Sequence, residues 1–445
     1  MTLQNFRYIF ILLILTLWLI PQKADAQTII RDSEIESYLS QWFAPIFESN
    51  GMSPDQVNII LVQDNEVNAF VAGGSNIFIY TGLIKKTDDP TELIGVMAHE
   101  LGHITGGHLV RGRDALEQAS YESILGTILG VGAAIASGQA EAVGAGSLAA
   151  NSVAQRRFLA KTRIFESSAD QAAITSMERA GLDPAGFLTF MRKLEGQELI
   201  PASQQSEYVR SHPLTRNRIT RIKAKVEESK NLGKPYPKAW DEQHQRMTAK
   251  LLGYIQPEQV AWKYDNKNQT IAAQYARALS DYRLNKIDSG LQKIETLIAL
   301  EPNNPFFYEL KGQMLVDFGR VEQAIKPLQR AATIRPRDGL IRTALAHAQL
   351  ELSENNQDSI QKAIKNLNIA AQAEPRSTRV HRLLATAHGR LGDDAYARFH
   401  LAEEALLQGK KAYARQQAEI ALAQLPKDSA AAHRARDILT FTKNK

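Results

Sequence analysis

Apolar positions recur at helical spacing along most of this chain and alternate in one short region only. From Gln27 to about Leu61 the pattern is helical, with Ile35, Leu39, Trp42, Phe43 and Ile46 on one face. It gives way to a strand-like run at Val57 to Val62, then to two short strands within Asn68 to Leu83 joined across Gly73-Gly74. Two readings of that hairpin stay open: a structural element, or an edge that pairs with an extended peptide. Leu93, Ile94, Met97 and Leu101 then mark a helix entered through Asp88, Asp89 and Thr91 around Pro90. Strong helical periodicity returns from Asn151 to Leu194.

The second half repeats. Pro302 and Pro336 are 34 residues apart, the tetratricopeptide period, with Tyr308, Gly312, Gly319, Ala324 and Ala331 between them. Ala363, Ala370 and Pro375 repeat the pattern after an insertion near Glu354–Asp358, and Gly392 and Ala397 open another copy. Gly409, Ala414, Ala421 and Pro426 then recur late: 426 − 375 is 51, one and a half periods, so the array holds an extra helix. Each copy is a helix pair that buries its apolar face by stacking on its neighbours, leaving a concave surface for peptides or partner proteins. Residues 231–268 read as a linker with one short amphipathic piece near Met247–Ile255.

Two segments bear on membranes. Arg7, an apolar run from Tyr8 to Ile20 and Ala24-Asp25-Ala26 make residues 1–26 a secretory signal, either cleaved after Ala26 or kept as an uncleaved anchor. The run has 13 residues, short of the roughly 20 that a spanning helix needs. Residues 123–150 are rich in Gly and Ala and read as two small-residue helical segments. These form either a flap near the active site, with peripheral membrane contact, or a packed core hairpin. The 445 residues include no cysteine, which excludes disulfides and thiol chemistry. The net charge of +5 comes from scattered residues, and the densest basic stretch, Arg210 to Lys225, lacks the interleaved aromatics of a nucleic-acid platform.

Chemistry concentrates in His99-Glu100-Leu101-Gly102-His103. On a helix the two imidazoles stand one turn apart on one face and reach a single metal ion. Glu100 is rotated about 100° from His99, off the ligand face but within reach of water activated at the metal, where a general base is needed. Farther on, Arg163-Ile-Phe-Glu166-Ser-Ser-Ala-Asp170 puts two carboxylates one turn apart. Glu166 is the natural third zinc ligand, and Asp170 a partner that fixes a ligand imidazole's tautomer. His212, held extended before Pro213, is a candidate for contacting the metal site.

These three motifs, with His212-Pro213 running through Arg218, resemble the gluzincin metallopeptidases related to the CAAX prenyl protease. The resemblance implies one Zn2+ on His99, His103 and Glu166, with Glu100 as base. His212 and Arg218 would face the site, stabilising the oxyanion or holding the enzyme latent. With the export signal and the repeats, it further implies a periplasmic protease and chaperone-like factor associated with the outer membrane. Its partners would be outer-membrane β-barrel proteins and their assembly machinery, bound through the repeats, and it would degrade misassembled clients. The expected fold is mainly α: a zinc metalloprotease domain with a small β-sheet over 27–230, then an α-solenoid of tetratricopeptide repeats over 269–440. The rival reading is a tetratricopeptide adaptor or chaperone whose zinc site is latent or structural. Structural zinc usually takes four protein ligands without an adjacent base, and Glu100 argues against it.

Overall fold

The structure is a computed structural model that describes residues 28–112, 161–353 and 356–443. The signal segment 1–26 and the Gly/Ala-rich stretch 123–150 lie outside the described residues. The architecture is helical throughout except for one small sheet, followed by stacked helix pairs, as the periodicity predicts.

The sheet has four strands: β1 (Thr28–Ile30), β2 (Asn58–Gln63), β3 (Ala69–Ala72) and β4 (Asn76–Tyr80), in the order β1-β2-β4-β3. β2 and β4 run parallel, and the outer strands pair antiparallel to them. The predicted hairpin is β3–β4, turning at Gly73 and Gly74 with φ of 59° and 95°, the left-handed pair a tight two-strand turn needs. Phe70 stacks across it on Phe78 at 4.9 Å. β3 is an edge strand of this sheet, and the HExxH helix packs beside it.

The first helix is shorter than the sequence pattern suggests and spans Ser33–Ser49. The Asp32 side chain accepts a hydrogen bond from the Ile35 amide and fixes the start, so the β-branched residues before it are free to form β1. Its predicted face, Ile35, Leu39, Trp42, Phe43 and Ile46, is buried throughout. One hydrophobic core gathers this face, the sheet, the HExxH helix and the helices Ala185–Lys193, Glu207–Ser211 and Arg216–Glu227.

That core does not stop at the supposed linker. A helix of 17 residues, Ala239–Ile255, starts well before the expected Met247. It sends Trp240, Met247 and Leu251 into the first core and Ala249 and Leu252 into a cluster with the first repeat helix. Its buried face includes His244, Arg246 and Lys250, so a third of the buried positions are polar and periodicity alone could not reveal the stripe. Lys250 reaches Asp32 at 2.7 Å and Glu34 at 3.1 Å, and the hydroxyls of Tyr38 and Tyr275 donate to the fully buried Glu34 at 2.9 and 2.8 Å. Arg31 pairs with Glu374 of the array at 2.7 Å, and Tyr38 packs edge-on against Phe306 at 6.1 Å.

Among the described residues the array comprises ten helices from Ile271–Arg283 to Ala430–Lys443. Ala324, Ala331, Ala363, Ala370, Ala414 and Ala421 are all fully buried where helices meet. The extra helix is present: Thr378–Arg390, Asp394–Leu407 and Lys411–Gln424 follow one another, joined at Gly392 and Gly409 in left-handed conformation (φ 75° and 73°). The middle one packs on both neighbours. No helix among the described residues is long and apolar enough to cross a membrane.

Candidate active site

The HExxH helix runs from Pro90 to Thr105. The Asp89 side chain caps it, accepting from the amides of Thr91 and Glu92 at 2.7 and 3.3 Å, with Pro90 at the first helical position. The four-residue spacing turns the Nε2 atoms of His99 and His103 toward each other at 3.1 Å. A second helix, described over 161–179, crosses beside it. A Cβ on Gly102 would lie 2.9 Å from the carbonyl oxygen of Ala169, so only glycine allows this approach. It brings Glu166 between the imidazoles, one oxygen 3.4 Å from His103 Nε2 and the other 3.5 Å from His99 Nε2. His212 ends the helix Glu207–Ser211 and points its Nδ1 at both Glu166 oxygens, 3.2 Å from each.

These four side chains could hold a metal ion, with donor atoms all within 4.8 Å of one another. The spacing is a sharper criterion. Donors at 2.0–2.1 Å from a tetrahedral zinc stand about 3.4 Å apart, and the neighbouring pairs here measure 3.1 to 3.5 Å.

Charge is arranged to match. Burial pushes the Glu166 carboxyl up, but His212 and His99 outweigh it and hold the group well below the usual carboxylate range. Burial also raises Asp170, and hydrogen bonds from Arg218 and His99 reverse the shift. Asp170 Oδ1 lies 3.0 Å from His99 Nδ1, the nitrogen that faces away from the donor cluster. Glu100 behaves differently. Among the described residues both its oxygens are buried without a hydrogen-bond partner, and burial raises its pKa, which suits a group that takes up a proton. His212 Nε2 is 3.5 Å from it.

Arg218 sits here too, in a more constrained position than an oxyanion-binding group would have. Its guanidinium grips Asp170 with two hydrogen bonds of 2.7 and 2.8 Å. It also donates to the carbonyl oxygens of His212 and Pro213 at 3.3 and 2.9 Å and lies 3.0 Å from Glu166. It therefore ties the His212 loop to the helix that carries Glu166 and Asp170 and has little capacity left for a substrate oxygen.

Two nearby residues carry no signal in the sequence. Tyr208 is buried, its hydroxyl has no hydrogen-bond partner among the described residues, and its ring lies 4.8 Å from that of His212. His108, five residues past His103, contacts that imidazole directly. Neither belongs to a spaced motif, and only the fold brings them in.

Residues 33–226 match the model of peptidase family M48. This segment is similar to M48 peptidase domains. The β-barrel assembly-enhancing protease of Escherichia coli (strain K12) is 26% identical over 341 residues, covering 75% of this chain and 68% of that protein. The protease of the same name from Yersinia pestis is 28% identical over 303 residues, 65% of this chain and 60% of that protein. The metalloprotease LoiP of E. coli K12 is 26% identical over 178 residues, 40% of this chain and 66% of that protein. A tetratricopeptide protein of Thermus thermophilus is 21% identical, covering 38% of this chain and all of that one, with a TM-score of 0.26. The M48 domain is that of a zinc metalloendopeptidase, and its donor cluster fits the metal.

Proposed function

We propose that this protein is a periplasmic zinc endopeptidase that assists outer-membrane β-barrel assembly, degrades misassembled clients and recruits them through its repeats. The observation that carries the catalytic part is the pairing of a four-donor cluster with a buried Glu100 that has no hydrogen-bond partner among the described residues. The part concerning β-barrels is supported by relatives that are named β-barrel assembly-enhancing proteases.

On this reading His99, His103 and Glu166 would hold the zinc, which when bound would supply a water of lowered pKa and a Lewis acid for the peptide carbonyl. Glu100 takes the proton of the attacking water and passes it to the leaving amine. Its burial, without a hydrogen bond among the described residues to stabilise the charged form, makes it an eager acceptor. Asp170 holds His99 in one tautomer, and Arg218 holds Asp170. His212 lies among the donors, which favours a resting state with the fourth position filled. This contact is what the rival reading of a latent site retains.

The test is cleavage of unfolded β-barrel protein by wild type and Glu100→Gln, each with zinc measured. The substitution should leave zinc and melting temperature unchanged and abolish turnover. Undiminished turnover would remove Glu100 as the base, and wild type without zinc-dependent cleavage would favour the adaptor.

A further inference from the structure

His99 and His103 aim their Nε2 atoms into the donor cluster, so their Nδ1 atoms point away from it. A metal-binding imidazole almost always donates that second N–H to an acceptor, which fixes its tautomer and orientation. For His99 the acceptor is Asp170. For His103 the group at that position is His108, with the two Nδ1 atoms 3.1 Å apart and the rings 5.0 Å apart at 80°.

The backbone is shaped to put it there. The HExxH helix ends at Thr105, and Gly106 and Gly107 form a turn before helix resumes at His108, the latter glycine at φ 61°. A Cβ on Gly106 would sit 2.4 Å from His108 Nε2, so the imidazole lies directly over Gly106 and a side chain there would displace it. The ring's other contact is Phe165, stacked at 4.7 Å and 18°, the residue before Glu166. His108 is thus buried between the helix of two proposed ligands and the helix of the third.

We propose that His108 is the positioning residue for His103, accepting its Nδ1–H at Nδ1 and so presenting the Nε2 lone pair to zinc. The proposal rests on the reading of His103 as a ligand. It makes the two ligand histidines unequal. His99 leans on a carboxylate and His103 on an uncharged ring, which draws less on the shared proton and leaves His103 the weaker electron donor. A histidine that merely fills space against Phe165 would not need its Nδ1 at hydrogen-bond distance.

Two substitutions in the full chain separate acceptor from filler. His108→Phe keeps a ring on Phe165 and removes the acceptor. His108→Asn keeps an acceptor near the Nδ1 position and removes the ring. Zinc affinity is read by chelator competition, the ligand field by the visible spectrum of cobalt-substituted protein, and folding by the melting temperature of metal-free protein. The expected result is zinc binding about 10- to 100-fold weaker in the Phe variant, with a shifted cobalt spectrum and little change in metal-free melting. The Asn variant should stay within a few-fold of wild type. Wild-type zinc affinity in His108→Phe, or equal losses in both variants, overturns the proposal. His103→Ala is the control for the underlying reading. If it loses zinc while His108→Phe does not, the ligand assignment stands and only this inference fails. If it retains zinc, the ligand assignment itself is wrong.

Discussion

His99 Nδ1 lies 3.0 Å from an oxygen of Asp170, and the same carboxylate accepts two hydrogen bonds from Arg218. A proposed zinc ligand on one helix is thereby tied, through an acid on a second, to an arginine on a third. This chain of contacts sets the ring's orientation before any metal arrives.

Asp170→Asn should therefore act on the metal without touching it. Zinc binding should weaken about 10- to 100-fold. The metal-free protein should also lose about 3 kcal/mol, because Arg218 is buried and would be left short of its main partner. Chelator competition and denaturant unfolding measure the two effects, and unchanged zinc affinity would reject the tautomer role for Asp170.

The legible parts of the site are those with fixed local spacing. His99, Glu100 and His103 declare themselves within five residues, as do Glu166 and Asp170, because one helical turn converts spacing into direction. What spacing cannot carry is how two helices approach. Gly102 against Ala169 decides whether Glu166 reaches the imidazoles, and in the sequence Gly102 is only a small residue inside a motif. His108 escapes a sequence reading because Gly106-Gly107 looks like a helix end, with no sign that helix resumes at His108. β1 escapes it because three residues with Ile29 mostly exposed show no alternation. The repeats are plain in the sequence, since each copy buries alanines at a fixed period.

The helix Ala239–Ile255 makes the join between peptidase domain and repeats sensitive to single charges. Lys250 faces Asp32 and Glu34 in a buried setting, and Glu34 has no solvent exposure. Lys250→Met should cost about 3–5 kcal/mol, since removing one partner strands a buried carboxylate. Lys250→Met with Glu34→Gln should recover part of that loss, because the two sites are coupled. Denaturant unfolding of both variants checks this, and additive losses would show that the pair does not interact.

Acid should weaken the same join. Burial lowers the pKa of His244 from 6.5 to about 4, despite the opposing pull of Asp88, Asp89 and Asp241. Its Nε2 is 2.8 Å from Thr87 Oγ1, which itself donates to the Ile84 carbonyl, so the neutral ring donates to Thr87. The folded form thus disfavours the proton that the unfolded chain takes up. The stabilising effect is complete above pH 6.5 and is lost as pH falls toward 4, by at most about 3 kcal/mol. His244→Gln keeps a donor for Thr87 and does not titrate. The stability gap between wild type and this variant should change by that amount between about pH 7 and pH 4, and a constant gap would refute the assignment.

The last prediction concerns His212, whose two ring nitrogens face different partners. Nδ1 is 3.2 Å from Glu166 and Nε2 is 3.5 Å from Glu100. In this position the ring stands among the donors and beside Glu100, so on the proposed mechanism it would obstruct both the fourth coordination position and the path of a proton to Glu100. Its amide donates to the Tyr208 carbonyl at 2.8 Å, and Arg218 holds the carbonyls of His212 and Pro213. Release therefore requires the loop to move as a unit. Client binding on the repeats could drive that movement. Shifting a loop from 1:99 to 99:1 takes about 5.5 kcal/mol of differential binding, a reasonable demand on a large surface. If His212 closes the site, His212→Ala should raise self-cleavage and client cleavage above wild type while leaving zinc bound by the remaining three ligands. If His212 instead stabilises the oxyanion, the same variant should lose about 10²-fold or more in rate. Arg218→Lys separates the two further. A lysine cannot hold Asp170 and both loop carbonyls at once, so under the closure reading this variant should also cleave faster once its weaker zinc binding is saturated. Rates measured at saturating zinc for both variants give opposite signs for the two roles, and a slowed His212→Ala would end the closure hypothesis.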